Sequence, residues 1–136
     1  MNSSEQPPLD ISVVAGGTIG TRAWMESIRA IVRRLVSIRS EYSTPLSLQV
    51  VFQIPGAVLR PDFSGVRTGT FSRRERRLVV QVAVPEQLQG DRQAWVIGML
   101  KEAVSQAEEF AVMEALADTE LSNLRKLIDA LSVAPP

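Results

Sequence analysis

Apolar and polar residues alternate from Leu46 to Ile54. Leu46, Leu48, Val50, Phe52 and Ile54 fall on one side, and Ser47, Gln49, Val51 and Gln53 on the other. A period of two is that of a strand with one face buried and one face wet. The same period returns over 76–84, where Leu78, Val80, Val82 and Val84 point inward and Val79, Gln81 and Ala83 outward. It also runs over 9–15, where Leu9, Ile11, Val13 and Ala15 oppose Asp10, Ser12 and Val14. A weaker strand over 66–72 is interrupted by Gly69, and the short link carrying Arg73, Arg74 and Glu75 joins it to the next strand as a hairpin. Pro55-Gly56, the stretch Pro61 to Gly65, and Pro85 supply the turn and stop residues.

Two stretches change to a helical period. Trp24, Ile28, Ile31, Leu35 and Ile38 recur every three or four residues and predict a helix over 22–40. Arg22, Arg29 and Arg33 fall opposite, with Glu26 spaced to pair with Arg22 and Arg29. After the polar break 40–45 and the strands, Asp91 is placed to cap a second helix. Its apolar line is Val96, Met99, Leu100, Ala103, Ala107 and Phe110, with Lys101, Glu102, Ser105, Glu108 and Glu109 facing away. Continued, that line takes in Glu114, so a bend or frayed end is expected near Met113. A short helix restarting at Asp118 or Thr119 would carry Leu121, Leu124, Leu127, Ile128 and Leu131. Residues 1–8 read as a disordered tail, 9–132 as one domain and 133–136 as a loose end.

The fold class expected from this order is α+β: a four-stranded, mainly antiparallel sheet with two long helices on one face and a short C-terminal helix. The antiparallel expectation rests on the polar face of the strands, since sheets with one uncovered side are usually antiparallel.

Composition narrows the chemistry more than the fold. With 136 residues, 45% hydrophobic and 22% charged, the chain has the make-up of a single globular domain. It contains neither cysteine nor histidine. Thiolate nucleophiles, disulfides, cysteine-based metal sites, the Ser-His-Asp triad and the usual neutral-pH general base are thereby excluded. No apolar run reaches bilayer length, and the polar start lacks a basic–apolar leader, so a cytoplasmic protein without membrane partners is expected. The formal net charge is zero, yet residues 22–77 hold eleven arginines and four acidic residues, while residues 78–136 hold nine acidic and four basic ones. A neutral molecule can thus present one positive surface.

Four features are candidate sites. Ala15-Gly16-Gly17-Thr18-Ile19-Gly20 between a strand and a helix imitates a phosphate-cradling loop, the basis for an alternative reading as a small enzyme or nucleotide-binding protein using the glycine turn 16–20. The first glycine of the dinucleotide pattern is replaced by Ala15, and no acidic residue ends the next strand, so a tight turn accounts for it better. The carboxylates Glu102, Glu108 and Glu109 read as a solvated helix face without a histidine to complete a metal site, so no catalytic residue, cofactor or metal is assigned. Arg73, Arg74, Arg76 and Arg77 cluster at the hairpin turn, with Arg60 and Arg67 nearby in sequence. Their guanidinium forks suit carboxylates or phosphates, although charge on an exposed turn also discourages strand-edge aggregation. Fourth, Ser12, Gln49, Gln53 and Gln81 with Val14, Val51 and Val79 make a mixed surface suited to a protein partner. The expected partner-binding residues are Arg60, Arg67, Arg73, Arg74, Arg76, Arg77, Gln49, Gln53 and Gln81. RNA or DNA binding through the arginine hairpin is the lesser alternative, because single strands want aromatic platforms and only Phe71 is close.

The run Ile54-Pro55-Gly56, Pro61 through Gly69 and Val80 through Pro85 resembles small bacterial α+β immunity proteins of polymorphic or contact-dependent toxin systems. The resemblance covers residues 54–85, about a quarter of the chain, and implies a cytoplasmic, non-enzymatic inhibitor that binds a toxin domain. Many such inhibitors are acidic, whereas this chain is neutral with a basic centre.

Overall fold

A computed structural model of the chain describes residues 9–16, 21–37, 47–56, 59–75, 77–113, 125–126 and 128–131. The elements are β1 (Leu9–Ala15), α1 (Thr21–Ser37), β2 (Ser47–Ile54), β3 (Gly65–Ser72), β4 (Arg77–Ala83) and α2 (Arg92–Met113). A third helical segment, α3, includes residues 125–126 and 128–131. The predicted tails, the end of the first helix at 38–40, the break 40–45 with Leu46, and Glu114 through Leu124 with Leu127 lie outside the described residues.

The four strands form one sheet in the order β1-β2-β4-β3. The sheet is mixed and mostly parallel: β1 pairs with β2 and β2 with β4 in parallel, and β3 with β4 antiparallel. This corrects the mainly antiparallel expectation. Alternation along a strand reports that one side is uncovered; strand direction is set by the connections. Between β1 and β2 the chain crosses over through α1, as parallel neighbours require. Between β2 and β4 it runs out to the sheet edge, returns as β3, and inserts β4 beside β2. The uncovered side survives because both long helices lie on the other one.

That arrangement follows from the burial pattern. Leu48, Val50, Phe52 and Ile54 of β2 and Leu78, Val80 and Val82 of β4 are buried on one face, and their strand neighbours, apart from buried Ser47, are only half-buried. The buried face packs in one core with Trp24, Ile28 and Ile31 of α1, Val96, Leu100, Ala103, Val104 and Ala107 of α2, and Ile128 and Leu131 of α3. Leu9, Ile11 and Val13 of β1 pack against its margin. Val104, absent from the predicted stripe, completes the i, i+4 row from Leu100. Asp91 caps α2 as expected, its carboxylate accepting from the amides of Gln93 at 3.2 Å and Ala94 at 3.3 Å.

Side-chain bonds set the helices on the sheet. Gln106 donates to the carbonyl of Val66 at 2.9 Å and ties α2 to β3. Arg125 bonds Ser105 Oγ at 2.9 Å and forms an ion pair with Glu108, joining α3 to α2. The hydrogen bond to Glu108 holds the Arg125 guanidinium above its ordinary pKa. Glu108, expected on a solvated face, is therefore half-covered and engaged, while Glu102 and Glu109 are exposed. Arg34 donates to the carbonyl of Leu131, adding a tie from α1.

Two glycine positions are required by close approach. A Cβ on Gly16 would lie 2.6 Å from the backbone nitrogen of Gly56, and one on Gly56 would lie 2.5 Å from the Gly16 carbonyl oxygen. With Gly16 N donating to Ile54 O at 2.9 Å, this contact locks the carboxyl end of β1 to that of β2. At Gly69 the β3–β4 register shifts, with Thr68 opposite Val80 and Phe71 opposite Leu78. A Cβ there would meet the Val79 carbonyl oxygen at 2.9 Å, so glycine admits the bulge.

Candidate binding face and sheet ends

The strand registers arrange the open face as rows crossing the sheet. Asp10, Gln49 and Val79 form one row; Ser12, Val51, Gln81 and Arg67 the next; Val14, Gln53, Ala83 and Gly65 a third. Arg77 and Ser72 continue from Ser47 at the hairpin end. The described residues of α1, α2 and α3 pack on the opposite side, so α3 does not roof this surface.

Its polar side chains are held in place. Gln49 Nε2 donates to Ser12 Oγ at 3.0 Å, and Gln49 Oε1 accepts from Arg77 Nη1 at 3.3 Å. Arg77 also lies 3.6 Å from Asp10 Oδ2, with only 18% of its side chain exposed. Across the sheet, Arg67 straddles Gln81 Oε1 with Nε at 3.2 Å and Nη2 at 2.8 Å. It pairs with Asp62 at 3.2 Å and sits 4.2 Å over the Phe63 ring. Exposed pairs of this kind add little stability each, but they lower the number of side-chain states a partner would have to freeze. Val51 and Val79, half-buried, lie between the two networks, and Val14, 46% exposed, adds apolar area at the β1 edge.

The arginines divide by position. Arg73 and Arg74 are exposed in the β3–β4 turn, where the Glu75 amide donates to Ser72 Oγ at 3.2 Å. Arg77 lies just inside that end of the open face and Arg67 toward the other. Arg60 stands beyond the far end of β3, on the rim of a groove, and Arg76 lies outside the described residues. The structure thus brings together Gln49 with Arg77, and Gln81 with Arg67. Gln53 shares their face, and Arg60 does not join them. Phe71, the aromatic nearest the turn, packs on Phe110 of α2 at 5.1 Å and so belongs to the helix side.

The groove on which Arg60 sits was not anticipated. It has a volume of about 380 Å³ and lies between the 59–65 segment, the ends of β2 and β4, and Trp95 and Met99 of α2. The usable signal was the pair Trp95 and Met99, four apart on the helix, beside turns rich in proline. Of the glycine turn, Gly16 is accounted for by its contact with Gly56, and 17–20 lie outside the described residues. Among the described residues no group of three or more acidic side chains is placed to hold a metal ion, and no helix is long and apolar enough to cross a membrane.

The fold and these two surfaces define an α+β domain with a mixed sheet that the described helices cover on one side only. Comparison with known protein families, curated proteins and solved structures finds no match.

Proposed function

We propose that the chain is a protein-binding domain that acts by contact rather than catalysis, through the open face of its sheet and the adjoining arginine turn. The observation that carries this reading is the combination on one face of exposed Val14 and half-buried Val51 and Val79 with polar side chains already hydrogen-bonded in position. Protein interfaces favour a mixed surface with arginine anchors, and pre-ordered side chains reduce the entropy lost on binding. Arg73 and Arg74 at one end suit a partner with an acidic patch. A toxin domain held by this chain as its inhibitor is the particular form that the resemblance of residues 54–85 supplies. A nucleic-acid partner is less favoured, since Phe71 faces α2 and offers no stacking platform beside the arginines.

The test is recovery of the tagged chain from its host with three surfaces: native, Val51→Asp, and the double variant Arg73→Ala with Arg74→Ala. A specific protein partner is expected with the native surface and at least tenfold less with either variant. The double arginine variant should keep native stability within about 0.5 kcal/mol, and Val51→Asp, at a half-buried position, should still unfold in one cooperative transition. Recovery of the native chain alone, or equal retention by all three, overturns the reading.

A further inference from the structure

We propose that the groove at the carboxyl ends of β2 and β4 binds a small carboxylate with an aromatic or aliphatic body. This site meets the open face only at its edge, at Gly65 and Ala83, and does not depend on the protein-binding reading. In sheets with parallel strands, ligands collect beyond the carboxyl ends, where the connections diverge and leave a crevice. Here the connection from β2 to β3 swings out before the chain returns, and the crevice stays open against α2. Its volume of about 380 Å³ falls within the size of small-molecule sites.

The walls are largely apolar. Trp95 stands edge-on to Trp24, with centroids 5.1 Å apart, and to Phe52 at 6.3 Å, so its ring is fixed from the core side. Met99, one turn along α2, and Phe63, under the Arg67 guanidinium, extend the apolar lining. The polar groups are few, and they select the head group. The indole N–H of Trp95 has no hydrogen-bond acceptor among the described residues. Arg60 is exposed on the rim, with no ion pair or hydrogen bond among the described residues. Its neighbour Arg67, by contrast, is committed to Asp62 and Gln81. A free guanidinium fork beside an apolar slot matches a carboxylate on an apolar body. Glu86, also on the rim, is exposed, and its opposition to an anion is weakened by solvent and salt.

The experiment titrates the full chain with 3-phenylpropionate, its neutral amide and phenethylamine. It follows tryptophan emission and the amide and indole NMR signals. Trp95 is one of only two tryptophans, so occupancy of the groove is read directly. The carboxylate is expected to saturate at about millimolar concentration or below, to shift the Trp95 indole signal, and to bind at least tenfold tighter than the amide or the amine. Arg60→Ala should abolish that preference, while Glu86→Gln should retain or strengthen carboxylate binding. Both positions are exposed, so neither variant threatens the fold. No saturable shift with any probe, equal binding of amide and carboxylate, or a preference surviving Arg60→Ala would overturn the proposal. Failure of this site leaves the open-face test untouched, because the two sets of variants share no residue.

Discussion

β2 and β4 present two faces built from neighbouring residues with opposite duties. On the helix side Leu48, Val50, Phe52, Leu78, Val80 and Val82 are wholly removed from water. One residue along the chain, Gln49, Val51, Gln53, Val79 and Gln81 stay half-exposed, and the polar contacts on that side run from strand to strand and, at Asp62, to a neighbouring loop. The first face is held by the area taken from water. The second is held by geometry, through bonds of small individual worth. A change of side chain therefore costs stability on one face and surface character on the other, even at consecutive positions.

Consecutive residues offer the sharpest way to break this contrast. Phe52→Ala removes a fully buried ring that meets Trp95 and should cost about 3–5 kcal/mol in urea unfolding. A loss below about 1 kcal/mol would mean that the helix face is loosely packed. Arg77→Ala is the intermediate case, because its guanidinium is mostly covered and serves both Asp10 and Gln49. About 1 kcal/mol is expected after allowing for the 37% exposure of Asp10, and it should shrink in high salt. Gln53→Ala, beside Phe52 but on the open side, should change stability by no more than about 0.5 kcal/mol. If its effect approached that of Phe52→Ala, the open face would be part of the core and the two-sided description would fall.

The same contrast explains what could be read from residues alone. Strand positions, the hairpin, the α1 stripe and the Asp91 cap all depend on local periodicity and short-range bonds, and they are legible for that reason. Strand direction is not local. The polar side of β2 said that one face was bare, and the inference to antiparallel pairing failed because both helices happen to share the other face. The arginines misled in a related way. Arg60 and Arg73 are close in sequence, yet β3 separates them by its own length, about 26 Å for eight residues. What looked like one basic cluster is a turn, two propped face residues and a groove rim. The groove itself stayed hidden because it is assembled from a loop, two strand ends and a helix, and no single stretch carries its shape.

The place of β4 also bears on how the chain assembles. It is the last of the described strands along the chain but stands between β2 and β3. Until residues 77–83 are present, the β4-facing edge of β2 has no partner, and the alternating strand Ser47–Ile54 stands open on that side. β3 and β4 are joined by a short turn, so their pairing is local in sequence, whereas pairing of β4 with β2 spans a much longer stretch of chain. A growing or truncated chain that ends before β4 carries an apolar strand with an unsatisfied edge, the species most exposed to aggregation. In this protein, the hairpin whose turn presents Arg73 and Arg74 is also the piece that completes the sheet.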